Sequence, residues 1–308
     1  MSQGLVACVA VGIVALVLAS APTPLQAAGT DAARRTLVHD SQARSYLLRV
    51  PAPAPGVPRA LVIVLHGGGG DALNAERMTG FTEKAAREGF YVVYPEGTSR
   101  FQGRLFTWNA GHCCGHAMTT KTDDVGFIRA LIDTLLHEHP VDPARVYATG
   151  LSNGGMMAHR LGRELSDRIA AIAPVVATVF GDEAPPARPV PALMINGRLD
   201  ASVPHLGGPP GGRFQNAWDG TPTRPALEQG TFWAKANGCG ATPRREESDA
   251  YTHWIHPCPT GRSVELYLMK HEGHTWPGGQ KGGPWGDALG NALIATDVIW
   301  AFFRQHAR

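Results

Sequence analysis

The apolar residues of this chain fall into short continuous runs, and longer segments with a helical period separate these runs. Five of the runs are residues 61–65, 91–94, 146–149, 169–176 and 191–195. A continuous apolar run of this length is typical of a strand that is covered on both faces. Residues 264–269 alternate instead, with Val264, Leu266 and Leu268 on one face, and they predict a further strand. Weaker patterns predict two more strands, at residues 45–50 and 251–255.

The segments between these runs carry apolar residues spaced by three and four, as on one face of a helix. Predicted helices cover residues 75–89 with interruptions, a segment that begins at residues 123–124, a segment after residue 154, residues 225–236 and residues 291–305. Strands that alternate with helices predict an α/β protein with a mostly parallel central sheet and helices on both faces. The loops after residues 65, 149, 195 and 269 then lie at one edge of the sheet, where ligands bind in such folds.

The loop after residue 149 reads Gly150-Leu151-Ser152-Asn153-Gly154, a G-x-S-x-G pattern between a predicted strand and a predicted helix. That context is typical of a nucleophile elbow, in which the serine lies on a tight turn. The glycines two positions before and after Ser152 leave room for close packing of the strand and the helix. An ordinary turn is the alternative in a chain with 37 glycines, but the flanking elements favour a catalytic serine.

A serine nucleophile needs an imidazole that accepts its proton and a carboxylate that orients this imidazole. In this fold class the acid follows the serine and the histidine follows the acid. Asp200 comes directly after a buried run, and His274 follows the last predicted strand. We therefore predict a triad of Ser152, Asp200 and His274. The alternatives are a turn-capping role for Asp200 and His271 as the base. Other acids downstream of the serine include Asp182, Asp219 and Asp249.

The glycine run after His66 suits an oxyanion hole, because glycines bring backbone N–H groups close to a substrate. We expect one donor to be the N–H of Asn153, which follows the nucleophile, and the other to be the N–H of Gly68. Gly67 and Gly69 are alternatives for the second donor. A phosphate-binding loop is excluded, because no G-K-[ST] follows the glycines.

Two tryptophans lie in loops at the predicted active edge. Trp108 and Trp276 are predicted to form a wall for a flat or apolar acyl group, with ordinary core packing as the alternative. Asp123 and Asp124 stand at the start of a helix, where adjacent residues point in different directions. They are therefore expected to cap the helix and face its dipole rather than to act as a catalytic pair.

Composition and the N-terminus limit the kind of protein. The chain has 308 residues and a net charge of +2, too mild a charge for a nucleic-acid or membrane-surface partner. Residues 5–18 form an apolar run that is short for a membrane span and is followed by small residues. We predict a signal peptide at residues 1–27, with a short membrane anchor as the alternative because no lysine or arginine precedes the run. Residues 28–308 are predicted to form one secreted catalytic domain, extracellular or periplasmic, without a stable membrane anchor.

The predicted mature chain has four cysteines, and an even number in an exported chain favours disulfides. They are Cys113, Cys114, Cys239 and Cys258. Three pairings are open, although Cys239 and Cys258 flank a segment that resembles a hairpin. A metal site at residues 112–116 is the alternative, but the segment lacks the C-x-x-C spacing of structural zinc sites, so we expect no metal.

Several motifs together resemble one known family. They are LHGGGG from Leu65, DDVGF from Asp123, GLSNGG from Gly150, NGRLD from Asn196, GHTWPGG from Gly273 and IWAFF from Ile299. The chain is similar over almost all of its predicted mature length to the secreted poly(3-hydroxybutyrate) depolymerase-type esterases, which include feruloyl esterases and LpqC-like bacterial proteins. The resemblance implies an α/β-hydrolase fold and no cofactor. It also implies the same triad and Gly68 as an oxyanion donor.

The expected activity is therefore that of a secreted serine esterase that acts on hydroxyalkanoate polyester or oligomers, or on hydroxycinnamoyl (feruloyl) esters. Polymer-degrading relatives usually carry a polymer-binding domain after the catalytic domain. The sequence ends at Arg308, so a soluble ester is expected equally. The alternatives are a serine peptidase of the same fold and a non-catalytic binding protein on a hydrolase scaffold.

Overall fold

The computed structural model describes Met1 and residues 34–52, 56–101, 103–212, 215–283 and 286–308. The predicted signal peptide at residues 1–27 lies outside the described residues, except for Met1. Residues Asp31–Arg308 form one compact unit. Among the helices of the described residues, none has the length and apolar character that crossing a bilayer requires.

The apolar runs of the sequence form the centre of one twisted sheet. In chain order the strands are β1 (Arg35–His39), β2 (Gln42–Arg49), β3 (Arg59–Leu65), β4 (Tyr91–Pro95), β5 (Val141–Leu151), β6 (Ala171–Val175), β7 (Ala192–Gly197), β8 (Arg244–Glu247), β9 (Tyr251–Ile255) and β10 (Val264–Met269). Their order across the sheet is β1-β2-β4-β3-β5-β6-β7-β10-β9-β8. The six central strands β4, β3, β5, β6, β7 and β10 are mutually parallel. At the two sides of the sheet, β1, β2, β8 and β9 pair in antiparallel fashion.

Helices cover both faces of the parallel strands. They are α1 (Ala72–Thr79), α2 (Phe81–Glu88), α3 (Gly115–Thr119), α4 (Asp124–Glu138), α5 (Asn153–Glu164), α6 (Ala226–Asn237) and α7 (Ala295–Phe303). Two separate apolar cores result, one on each face of the sheet. The central strands are apolar on both sides because both of their faces are buried. The prediction of an α/β fold with a mostly parallel sheet is confirmed.

Because these strands are parallel, the carboxyl ends of β3, β5, β7 and β10 lie together along one edge of the sheet, the edge formed by strand ends. Leu65 at the end of β3 pairs with Gly150 in β5, and Met269 at the end of β10 pairs with Gly197 in β7. The loops that follow these strands carry the oxyanion glycines, the serine, the acid and the histidine of the predicted site. Strand direction is therefore the physical reason why residues far apart in sequence come together.

Some elements differ from the sequence prediction. The predicted helix at residues 75–89 is two helices that meet at Gly80, which has a left-handed φ of 65°. The C-terminal helix begins at Ala295, four residues later than predicted. The edge strands β1 and β8 and the short helix α3 were not predicted. Strand β8 reads RREE and is exposed throughout, so it carries no apolar pattern to detect.

Candidate active site

Ser152 lies on the sharp turn between β5 and α5. Its backbone has φ 56° and ψ −123°, a conformation that is uncommon for a residue with a side chain. The Ser152 N–H donates to the carbonyl of Val175 at 2.9 Å, which ties the turn to the neighbouring strand β6. The side chain is partly exposed at the N-terminus of α5, where the helix dipole favours developing negative charge.

Neighbouring backbone atoms leave no room for a side chain at Gly150 and Gly154, on either side of Ser152. A Cβ added at Gly150 would lie 2.7 Å from backbone atoms of Gly154 and from the carbonyl oxygen of Leu65. A Cβ at Gly154 would overlap the carbonyl oxygens of Leu65 and His66. Strand β3 and helix α5 thus approach β5 at backbone distance, and the expectation of close packing around the elbow is confirmed.

Asp200 and His274 form a direct contact at the same edge. The His274 Nδ1 lies 2.7 Å from Asp200 Oδ2, and the Asp200 carboxylate is fully buried while His274 is 19% exposed. The other oxygen of Asp200 accepts the N–H groups of Ser202 and Val203, each at 2.8 Å. The carboxylate therefore caps its own loop and also faces the imidazole. With a proton on Nδ1 donated to Asp200, the Nε2 of His274 is left as a proton acceptor.

The other candidate acids and bases lie elsewhere. His271 is exposed, and its Nε2 contacts the backbone oxygen of Asp249. Asp182 and Asp219 instead contact His112, at 2.8 and 2.7 Å. Burial alone would lower the pKa of His112, but its hydrogen bonds to these two carboxylates outweigh burial, and the pKa is raised.

A carboxylate that sequence reasoning missed holds the backbone of the candidate base. Asp287 Oδ2 accepts the N–H of His274 at 2.7 Å. Asp287 belongs to the glycine-rich loop before α7, and no motif or strand end marks it. A tertiary contact across 13 positions of the chain, and not a strand end, places it beside His274.

Ser152 and His274 line one cavity of about 1010 Å³. Apolar side chains of Phe101, Leu105 and Leu289 line it together with polar groups, including Asn74 and Gln280. The cavity is mixed in character and large enough for an ester with an extended acid or alcohol part.

The glycine run lies against the elbow. A Cβ added at Gly68 would lie 3.6 Å from the Cβ of Asn153, so these two residues are neighbours. The N–H of Gly69 donates to the carbonyl of Phe106 at 2.8 Å and is not free to act as an oxyanion donor. Asn153 is the first residue of α5, where backbone N–H groups have no acceptor within the helix.

His66 is a fully buried neutral imidazole. Burial lowers its pKa to about 4. Its Nε2 accepts the N–H of Gly97 at 3.0 Å, so the ring proton is on Nδ1 and is donated to the carbonyl of Gly67 at 2.8 Å. The N–H of Gly70 donates to the same carbonyl at 3.0 Å. The side chain of the His-Gly motif thus fixes the first peptide of the glycine run.

The two tryptophans are both buried. Trp108 is completely inaccessible and is not among the described residues that line the cavity, which argues against its predicted contact with substrate. Its indole N–H donates to the carbonyl of His66 at 3.0 Å. Trp276 does line the cavity, but it is only 1% exposed and donates to Thr296 Oγ1 at 3.0 Å. Core packing therefore accounts for much of the surface of both rings.

The four cysteines form two disulfides, Cys113–Cys114 and Cys239–Cys258. Of the three pairings that the sequence left open, this is the one that joins adjacent residues and closes the predicted hairpin. Cys114 lines the cavity.

A separate cluster of possible metal ligands involves His39, Asp40 and Asp123, whose ligand atoms lie within 4.8 Å of one another. The Asp123 carboxylate also accepts the N–H of Gly126 at 2.9 Å and caps α4, as predicted. Asp124 is buried and pairs with Arg44 at 2.7 Å, which sequence reasoning did not identify. None of these residues lines the cavity described above.

Comparison with known proteins agrees with this architecture. Residues 44–204 match the family model described as Esterase PHB depolymerase. The chain is 33% identical over 261 residues to the putative esterase NocK of Nocardia uniformis subsp. tsuyamanensis, a match that covers 80% of this chain and 74% of NocK. It is 31% identical over 247 residues to feruloyl esterase B of Piromyces equi, covering 78% of this chain but only 44% of that protein.

A solved structure is similar in fold. The acetyl xylan esterase from Aspergillus awamori superposes with a TM-score of 0.57 at 14% sequence identity. The superposition covers 79% of this chain and 94% of that enzyme. At this identity the similarity supports the α/β-hydrolase fold alone.

Proposed function

Since this chain belongs to the Esterase PHB depolymerase family and is a serine carboxylic ester hydrolase, we propose that Ser152, Asp200 and His274 form its catalytic triad. The contact between His274 Nδ1 and Asp200 Oδ2, at 2.7 Å, carries the proposal. It orients the imidazole at the edge of the cavity where Ser152 stands on a strained turn.

In the proposed reaction, the Nε2 of His274 removes the proton of Ser152, and the serine oxygen attacks the ester carbonyl. The buried negative charge of Asp200 stabilises the imidazolium that forms. The backbone N–H groups of Gly68 and Asn153 donate to the tetrahedral oxyanion. His274 then returns the proton to the leaving alcohol, and water releases the acid from Ser152 by the same steps.

We propose that the substrate is either a hydroxyalkanoate oligomer or polyester, or a hydroxycinnamoyl ester. The cavity supports both, because apolar side chains lie beside amide groups that are able to bind hydroxyl or carbonyl oxygens. Feruloyl esterase B of Piromyces equi is named for the second class and the family model for the first. For this chain, the two substrate classes are distinguished by comparing kcat/KM for a 3-hydroxybutyrate oligomer and for a ferulate ester.

We also propose that residues 1–27 are a signal peptide and that residues 28–308 are a single secreted catalytic domain. The apolar run at residues 5–18 and the two disulfides support export, since disulfides persist in oxidising compartments. Mass spectrometry of protein from the culture supernatant tests this proposal. An N-terminus near residue 28 is the expected result, and an intact Met1 on a cell-associated protein would overturn it.

A substrate panel with matched variants tests the activity and the triad. The panel contains p-nitrophenyl acetate, p-nitrophenyl butyrate, methyl ferulate and a 3-hydroxybutyrate trimer. We expect Ser152→Ala and His274→Ala to lose turnover of every ester that the wild-type protein hydrolyses, whereas His271→Ala retains it. Turnover by Ser152→Ala equal to that of the wild type would exclude the proposed nucleophile. The ratio of kcat/KM between the trimer and methyl ferulate identifies the substrate class.

A further inference from the structure

The two proposed oxyanion donors come from separate segments of the chain. Gly68 follows β3, and Asn153 follows β5. The ladder between these strands ends with the pair Leu65 and Gly150, and the glycines beyond it have no side chains to hold them. A glycine segment also loses more conformational freedom than other residues when it becomes ordered. The separation of the two donors must therefore be held by some other part of the protein.

Trp108 contacts both segments through three hydrogen bonds. Its indole N–H donates to the carbonyl of His66, at 3.0 Å. Its backbone N–H donates to Asn153 Oδ1 at 2.7 Å, and its backbone carbonyl accepts from Asn153 Nδ2 at 3.0 Å. The tryptophan is completely buried, and Asn153 is 1% exposed, so water does not compete for these bonds.

The hydrogen bond from Trp108 to His66 affects the N–H of Gly68 through the peptide bond between Gly67 and Gly68. The imidazole of His66 donates to the carbonyl of Gly67 at 2.8 Å. In a trans peptide the C=O and the next N–H point in opposite directions. With the Gly67 carbonyl directed at the buried imidazole, the N–H of Gly68 is directed away from this imidazole, and Gly68 itself lines the cavity.

The loop that carries Trp108 is itself anchored at the next residue. The N–H of Asn109 donates to the buried carboxylate of Asp124 at 2.7 Å, and its carbonyl accepts from Arg160 at 2.7 Å. Asp124 in turn pairs with Arg44. The tryptophan is thus fixed against α4 and α5, and it is a rigid support rather than a mobile wall.

We propose that Trp108 is a positioning residue that holds the N–H groups of Gly68 and Asn153 at the separation needed to bind one oxyanion. It acts through His66 on one side and through the Asn153 side chain on the other. This inference rests on the proposed function of Ser152 as nucleophile. It replaces the predicted contact of Trp108 with substrate.

The test compares an oxygen ester with its sulfur analogue. Sulfur is a weaker hydrogen-bond acceptor than oxygen, so hydrolysis of p-nitrophenyl thionoacetate depends less on oxyanion donors than hydrolysis of p-nitrophenyl acetate does. The ratio of the two kcat values therefore reports on the oxyanion hole and is insensitive to the amount of folded enzyme. Trp108→Phe removes the indole donor and keeps an aromatic ring and the backbone bonds to Asn153.

We expect Trp108→Phe to lower kcat for p-nitrophenyl acetate by about tenfold or more, with KM changed by less than about threefold, and to lower the oxygen-to-sulfur ratio by a similar factor. Trp233→Phe is the matched control. Its indole N–H is also buried, but it donates to His159 Nδ1 at 2.9 Å and its ring lies beside Gly162, in the second half of α5 rather than at the N-terminus of that helix. We expect it to keep the wild-type ratio.

Asn153→Ala removes the bridge from the other side and leaves the backbone N–H of residue 153 in place. It provides the same measurement if Trp108→Phe does not fold. A wild-type ratio in either folded variant, or an equal loss of rate on both esters, would overturn the inference. Failure of the wild-type protein to hydrolyse either ester would instead count against the proposed function.

Discussion

The buried imidazole of His159 predicts a specific loss of stability in acid. His159 lies in α5, the helix that follows the nucleophile, and its Nδ1 accepts the indole N–H of Trp233 at 2.9 Å. Its Nε2 is therefore protonated and donates to Gln229 Oε1 at 2.8 Å. A second proton on Nδ1 would face the indole donor. Burial lowers the pKa of His159 from 6.5 to about 4.

The direction of the effect follows from proton binding. Between pH 6.5 and 4 the unfolded chain binds a proton at residue 159 that the folded protein does not, so protonation favours unfolding as the pH falls. With these two pKa values, the contribution of His159 to the free energy of unfolding decreases by about 2 kcal/mol between pH 7 and pH 5. His66 acts in the same direction, since its pKa is also about 4.

His159→Gln isolates this contribution, because glutamine offers an acceptor to Trp233 and a donor to Gln229 without titrating. The measurement is urea unfolding of wild type and variant at pH 7 and pH 5, with the disulfides intact. We expect the loss of unfolding free energy on acidification to be smaller in the variant by about 2 kcal/mol. His66 is present in both proteins, so its contribution cancels. Equal losses in the two proteins would refute the reasoning.

Three further substitutions test the site and the scaffold. Asp200→Asn removes the charge that faces His274, and we expect kcat for p-nitrophenyl acetate to fall by about 10³- to 10⁴-fold with little change in KM. Gly154→Ala inserts a methyl group against backbone oxygens, and we expect it to lower the unfolding free energy by about 1–3 kcal/mol in urea unfolding. Replacing both Cys239 and Cys258 by serine opens a disulfide between residues 19 positions apart, with an expected loss of about 3 kcal/mol.

Each of these outcomes has a control. For the glycine, Gly283→Ala adds a Cβ that no atom of the described residues approaches within 4 Å, its chain neighbours aside, and it is expected to leave the unfolding midpoint unchanged. For the disulfide, wild type and the double serine variant are compared again in reductant, where neither protein has the Cys239–Cys258 cross-link and the difference between them is expected to disappear. An Asp200→Asn variant within about tenfold of wild-type kcat would contradict the role of the carboxylate. Unchanged midpoints in Gly154→Ala or in the double serine variant would contradict the packing and cross-link arguments.

The parts of the fold that the sequence predicted are those whose pattern is local and strong. The runs at residues 61–65, 91–94, 146–149 and 191–195 all became central strands, because burial on both faces demands a continuous apolar run. Strand β8, which is exposed throughout, was missed for the converse reason, and the edge strand β1 has no fully buried residue. A strand whose side chains face water is stabilised by pairing with a distant strand, and nothing in its own composition records that pairing.

The same difference between local pattern and tertiary contact divides the residues of the candidate site into those that the sequence indicated and those that it did not. Ser152, Asp200 and His274 could be proposed from sequence because each follows a predicted strand, and parallel strands bring their following loops to one end of the sheet. Asp287 follows no strand, and its contact with the His274 backbone depends on how a glycine-rich loop folds. Chain direction is readable from sequence, whereas the path of such a loop is not.

By itself the sequence determined the parallel centre of the sheet and the end of the sheet at which the candidate catalytic residues lie. Only the tertiary structure decided how those groups are oriented. In the structure Cys113 is paired with Cys114, and the N–H of Gly69 donates to the carbonyl of Phe106. Trp108, which was predicted to contact substrate, is buried and bonds to His66 and Asn153. The physical reason is that apolar periodicity records which residues are buried. The partner of a buried polar group is set by packing between segments that are distant in the chain.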